Sequence, residues 1–183
     1  MAATVRADYY GGSAGEPAGV SAETGIVYSL SDAQAPASGT APISKPAGAG
    51  TAFSYIMLLA LNVTASAATS LFNRTIAFGS VVTSGSTVFF ADQPTYRQPS
   101  GGNHPAPDGS DGPATPSPAG GGAPGSYAEI TTTPQGWDAS SVSAGVTGRN
   151  GDFVELVFGV DSTYAGGSGR ETLPDHSLAY DEA

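Results

Sequence analysis

The chain has 183 residues, only 12% of them charged, and a formal net charge of −10. Its basic residues, Arg6, Lys45, Arg74, Arg97, Arg149 and Arg170, are scattered singly. They therefore lack the clustering that phosphate neutralisation needs, and neither nucleic acid nor an anionic membrane is expected as a partner. With no cysteine, disulfides, a thiolate nucleophile and zinc–thiolate sites are excluded.

This length supports one substantial core, so residues 1–183 are read as a single domain. Gly (26) and Pro (14) make up about a fifth of the chain, below the level of a wholly disordered sequence. The first segment, 4–10, reads as a strand or an extended arm. A Gly-rich loop follows, then a short candidate strand at 26–30. Residues 31–50, with Pro36, Pro42 and Pro46, read as an extended connector, because proline has no N–H for a central ladder.

The strongest signal is 51–64. Its odd positions are Phe53, Tyr55, Met57, Leu59, Leu61 and Val63, and this period of two predicts one long strand with a face in the core. Its apolar run, 55–61, is too short to span a bilayer as a helix. Residues 71–82 place Phe72, Ile76 and Phe78 on one face, and Ser84-Gly-Ser86 then predicts a hairpin into a strand at 87–91. The stretch 92–125, with about eight prolines and eight glycines, predicts a long irregular loop at the periphery. Strand-like alternation resumes at 127–132, and Trp137, Val142 and Val146 mark a covered irregular stretch. Residues 151–160 align Val154, Leu156, Phe158 and Val160 on one face, and 173–180 predicts a terminal strand. No sustained period of 3.6 residues occurs, so helix should be nearly absent.

Few residues point to chemistry. Gly11-Gly-Ser13-Ala-Gly15 matches a nucleophile elbow, but Pro17 follows where that motif needs a helix. The run Gly120-Gly-Gly-Ala-Pro-Gly125 matches a dinucleotide pattern without its strand–helix context. His104 lies in the Pro/Gly loop. His176 adjoins Asp175, but neighbours on a strand point to opposite faces and seldom form a dyad. Asp108, Asp111, Asp161, Asp175, Asp181 and Glu182 offer oxygen ligands, fewer in any one segment than calcium requires. Tyr9, Tyr10, Tyr28, Tyr96, Tyr127, Trp137, Tyr164 and Tyr180 could form a sugar-stacking platform, or else cover the rim of the core or an interface. Asn62-Val-Thr64 and Asn73-Arg-Thr75 match the glycosylation pattern by chance. The N-terminal residues lack a basic-then-apolar signal, so the expectation is a soluble protein made in a cytoplasm. No catalytic, cofactor-binding or metal-binding residue is expected, and no enzymatic activity.

A set of short motifs, Arg6-Ala-Asp-Tyr-Tyr-Gly11, Asn62-Val-Thr64, Asn73-Arg-Thr-Ile76, Gly148-Arg-Asn-Gly-Asp152, Leu173-Pro-Asp175 and Tyr180-Asp-Glu-Ala183, resembles small virion proteins of tailed bacteriophages. The resemblance spans most of the chain outside the Pro/Gly loop. It implies an antiparallel β-sandwich, Ig-like or jelly-roll-like, in a capsid-decoration, neck or tail position. The implied partners are other virion proteins, capsid or tail subunits, with a homo-oligomer in the assembly and assembly in the host bacterial cytoplasm. A carbohydrate-binding adhesion module is the alternative.

Overall fold

The computed structural model describes residues 4–10, 19–21, 45–49, 51–54, 57–65, 70–80, 82–93, 96, 128–138, 142–143, 147–165 and 175–183. The candidate strand at 26–30, residues 31–44 of the connector and all of 97–125 lie outside these, so those expectations stay as stated. Among the described residues every regular element is a strand, and every strand pairing is antiparallel.

The strands are β1 (Thr4–Tyr10), β2 (Val20–Ser21), β3 (Thr51–Phe53), β4 (Met57–Ala65), β5 (Ser70–Phe78), β6 (Ser86–Gln93), β7 (Ala128–Glu129), β8 (Gln135–Asp138), β9 (Val142–Ser143), β10 (Gly148–Asp161) and β11 (His176–Glu182). They form a seven-stranded sheet in the order β2-β1-β4-β10-β6-β7, with β3 also on β10, and a four-stranded sheet β11-β5-β8, with β9 also on β5. The two pack face to face as a β-sandwich. Between them lie Met57, Leu59 and Leu61 of β4, Val88 and Phe90 of β6, and Val154, Leu156, Phe158 and Val160 of β10, against Ile76 and Phe78 of β5 and Trp137 of β8. The alternation that predicted β4 and β10 is thus a record of which residues face the smaller sheet.

Several expectations need correction, beginning with the loop after 4–10, which contains the short strand β2. The single strand at 51–64 is interrupted at Ser54, whose N–H donates to Phe158 O at 2.8 Å and whose Oγ accepts from Phe158 N–H at 3.0 Å. Phe53 pairs with Gly159 and Met57 with Leu156, so β3–β4 advances four residues while β10 advances three. The extra residue reverses the alternation: Ala52 joins the inter-sheet core, and Phe53 turns to the opposite face, beside Leu58 and Ala60. A period-two reading has no means of seeing a bulge, because the residues on both sides remain apolar. Tyr55 lies outside the described residues.

Phe72 is only half-buried, although Ile76 and Phe78 are buried as expected. Asn73 sits in the left-handed region at φ 50°, and Phe72 pairs with Asp181 while Thr75 pairs with Ala179. The extra residue on β5 again shifts the alternation, and Leu71 and the wholly buried Arg74 point inward in place of Phe72. Asn tolerates that conformation, and its Nδ2 donates to Asp181 Oδ2 at 2.9 Å.

The expected hairpin across Ser84-Gly-Ser86 is a crossover: β5 belongs to the small sheet and β6 to the large one. Gly85, at φ 81°, lies against the end of β10, where its carbonyl accepts from Asp161 N–H at 2.9 Å. A Cβ there would fall 2.3 Å from the Tyr164 backbone nitrogen, which cannot yield as a flexible side chain would. Of the two readings of 4–10, a strand or an extended arm, the strand is the one found. β1 pairs along its length with β4, and Tyr9 and Tyr10 are buried on opposite faces, so truncating 1–10 removes part of both cores. The stretch around Trp137 is likewise a strand, β8, and β6 runs on through Asp92 and Gln93, the first two residues assigned to the long loop.

Two substitutions test this packing by urea denaturation. Leu59 is wholly buried, and Leu59→Ala is expected to cost ~2–5 kcal/mol. Gly85→Ala combines a left-handed backbone with a clash against main-chain atoms and should cost ~2 kcal/mol or more. A neutral result at position 85 would contradict the described turn.

Candidate functional site

The residues singled out for chemistry are not brought together. His176 opens β11, where its ring stands edge-on to Phe78 with centroids 4.7 Å apart. Burial lowers its pKa to about 4, against a smaller upward pull from the Asp175 carboxylate. Asp175 meets Gly79 through its backbone, its carbonyl accepting from Gly79 N–H at 2.9 Å. Asp161 caps its own turn: the Thr163 hydroxyl and then the Thr163 amide hold its carboxyl below the usual range, with help from Lys45. Asp181 is engaged with Asn73. Among the described residues no three of His, Asp or Glu could hold one metal ion. Ser13, His104, Asp108, Asp111 and the 120–125 glycines lie outside the described residues.

The aromatic residues distribute similarly. Tyr9, Tyr10, Trp137 and Tyr164 are buried, Tyr96 and Tyr180 half-buried, and Tyr28 and Tyr127 lie outside the described residues. None of the four buried rings offers a face to a sugar.

What the sequence did not reveal is a polar row on the face of the large sheet turned away from the small one. Arg6 of β1 pairs with Asn62 of β4, and Asn62 pairs with Arg149 of β10. Side chains directly opposite one another on adjacent strands share a face, so two arginines separated by most of the chain stand about 10 Å apart, two strand spacings. Asp8, two residues from Arg6 and on the same face, is wholly buried. It meets Arg6 Nε at 2.7 Å and Arg6 Nη2 at 3.2 Å, and accepts from Asn62 Nδ2 at 2.5 Å.

The other end of the row depends on a second bulge. Asn150 pairs with Leu61 and Val154 with Leu59, so β10 carries two residues more than β4 over this stretch, and Gly151 supplies the positive φ of 77°. The bulge folds the Arg149 guanidinium back over the Phe153 ring, 4.3 Å from its centroid, and onto the Gly151 carbonyl. Beyond it lies an apolar cluster of Tyr10, Phe53, Leu58, Ala60, Phe153 and Val157, with Phe89 and Tyr96 packed against it. The Arg6-Ala-Asp8 spacing was the one available sequence signal; its partners Asn62 and Arg149 depend on strand order.

The arrangement contains donors and one buried carboxylate, already engaged with one another, and no nucleophile. It can hold β1 and β4 in register through the Asn62–Asp8 bond and define the polar margin of an aromatic face. No protein-family model, curated protein or solved structure matches this chain.

Two outcomes follow. Removing Arg6 leaves the Asp8 carboxylate buried with only the Asn62 amide among the partners described above, so Arg6→Met should destabilise by ~2–4 kcal/mol, discounted from a fully buried pair because Arg6 is partly exposed. For His176, the folded pKa of about 4 lies below the ordinary histidine value of 6.5, so the unfolded state binds more protons between these values. Its contribution is complete above pH 6.5 and is lost as pH falls towards 4, by up to roughly 3 kcal/mol. His176→Gln should flatten stability against pH in that window; an unchanged slope would show that His176 is not buried as described.

Proposed function

We propose that this protein is a non-enzymatic structural component of a tailed-phage virion, docking on capsid or tail subunits as a decoration or accessory protein. The observation that carries the reading is how its described polar side chains are used. Arg6, Asp8, Asn62 and Arg149 form one cross-strand row, while Asn73 and Asp181 join β5 to β11. These groups hold strands together, which is what a protein serving as a rigid part of an assembly requires. The low charge content and the Pro/Gly-rich segments 31–50 and 92–125 support the same reading: such segments have few apolar residues of their own and gain order by lying against a neighbour. At the end of the first of them, Lys45 Nζ donates to the Tyr164 carbonyl at 2.9 Å, which ties the connector to the sandwich beside β10.

The glycan-binding alternative draws less support, since Tyr9, Tyr10, Trp137 and Tyr164 are buried. A glycan-array measurement on purified protein separates the two, with no binding expected. The direct test is peptide mass spectrometry of purified particles of the encoding phage. Peptides of this chain should be present at stoichiometric level, and their absence would overturn the reading. Replacing Ile43 and Lys45 together should reduce incorporation while leaving the unfolding transition in place.

A further inference from the structure

We infer that Asn150 is a site of spontaneous covalent modification, at which the main-chain nitrogen of Gly151 attacks the side-chain amide carbon of Asn150 and expels ammonia. The inference rests on the sequence and on the backbone of the β10 bulge, and it stands independently of the virion reading.

The reaction balances with water as its only co-reactant. A bond forms between Gly151 N and Asn150 Cγ while the Cγ–Nδ2 bond breaks, and the proton lost from Gly151 N leaves with the amide nitrogen as ammonia. The product is a five-membered succinimide, which water opens on either side. Hydrolysis of the new bond to Cγ gives aspartate at position 150. Hydrolysis of the original peptide bond leaves the chain running through Cγ, as isoaspartate. Both products carry a negative charge where the amide had none.

Ring closure needs an unhindered nitrogen after the asparagine. The chain has four asparagines, and only Asn150 precedes glycine, which has no Cβ to obstruct the approach. Asn62 precedes Val63, whose branched Cβ crowds the nitrogen, and its Nδ2 is bound to Asp8. Asn73 precedes the wholly buried Arg74, and its Nδ2 is bound to Asp181. Asn103, before His104, lies outside the described residues.

Closure also needs a backbone that can leave strand geometry, and the bulge supplies it. Asn150 is the last residue matched to Leu61 before the bulge, and Val154 resumes the pairing at Leu59. Gly151, Asp152 and Phe153 therefore stand opposite the single residue Ala60, and the 150–151 peptide departs from the β4 ladder. Gly151 holds φ 77°, a conformation glycine adopts without strain. Water reaches this stretch. Arg149, Gly151 and Asp152 are half-buried, Thr147 is exposed, and a Cβ on Gly148 would meet nothing within 4 Å.

The products change the end of the polar row. The new charge falls on the residue between Arg149 and Gly151, whose guanidinium and carbonyl are bonded to each other. Isoaspartate also lengthens the main chain by one carbon. That atom enters where β10 already carries two residues more than β4, so the pairs from Val154 onward keep their register. The modified chain remains a sandwich, and the margin of the aromatic face gains negative charge as the protein ages.

The test is incubation of the folded protein at mildly alkaline pH, followed by peptide mass spectrometry. The mass gain of an amide-to-acid exchange should appear in the peptide containing Asn150 and not in those containing Asn62 or Asn73. An isoaspartyl methyltransferase should label part of the product, and Asn150→Gln should abolish both signals. The aged protein, separated by its added charge on anion exchange, should keep one cooperative unfolding transition. Leu59→Ala, which raises the unfolded population about thirtyfold or more, should leave the rate unchanged, because the reaction runs through the bulge. A rate that rises with the unfolded population overturns the inference, as does loss of the cooperative transition in the aged protein. It is equally overturned if Asn62 or Asn73 reacts as fast. No gain at Asn150 over a period that fully converts a synthetic peptide of residues 147–154 would also overturn it.

Discussion

The structure depends on the burial of β10 from both sides. Its fourteen residues pair with β3 and β4 along one edge and with β6 along the other. Val154, Leu156, Phe158 and Val160 face the small sheet, and Phe153 and Val157 face the opposite way, all of them at or near zero exposure. Such a strand has no polar face to turn to water, so everything beside it must cover it. Even Glu155, between Phe153 and Val157, is wholly buried. The polar row at Arg6, Asp8, Asn62 and Arg149 lies at the margin of this covered region, and its Asn62–Asp8 bond ties β4 to β1. A one-residue slip of β1 against β4 would separate Asp8 from Asn62 and turn apolar faces outward together.

The fold class was legible because hydrophobic alternation is a direct imprint of burial. Leu59, Leu61, Val154, Leu156 and Phe158 were placed in the core from spacing alone, and they are there. What failed was local and had a common cause. At Ser54 and at Asn73 an extra residue reverses the alternation, and neither residue type announces it: serine is common anywhere, and asparagine is read as a turn or loop residue. The second apolar face of β4 and β10 was missed for a related reason. Leu58, Ala60 and Val157 fall between the residues that set the period of two, and they mark a strand buried on both sides.

Strand order was less legible still. Nothing in 71–91 distinguishes a hairpin from a crossover, because Ser84-Gly85-Ser86 makes an acceptable turn for either. The deciding contact is with Tyr164 and Asp161, more than seventy residues further on. The polar row has the same character, since Arg6 and Arg149 meet only through the position of β4 between β1 and β10. Arginines counted as solitary along the sequence are neighbours in the sheet.

The lateness of β10 in the chain has a consequence for how the protein comes to be folded. During synthesis β1, β4 and β6 emerge before Gly148–Asp161 exists to join them, so β4 and β6 each wait with the backbone groups of one edge unpaired. The large sheet is completed from its flanks inward, and its central strand arrives after the intervening segments have been made. Closing loops of this length before the contacts reward it slows folding, and the open edges of β4 and β6 are the surfaces through which nascent copies would join wrongly. The rate at which β10 inserts then sets how many chains reach the sandwich instead of aggregating.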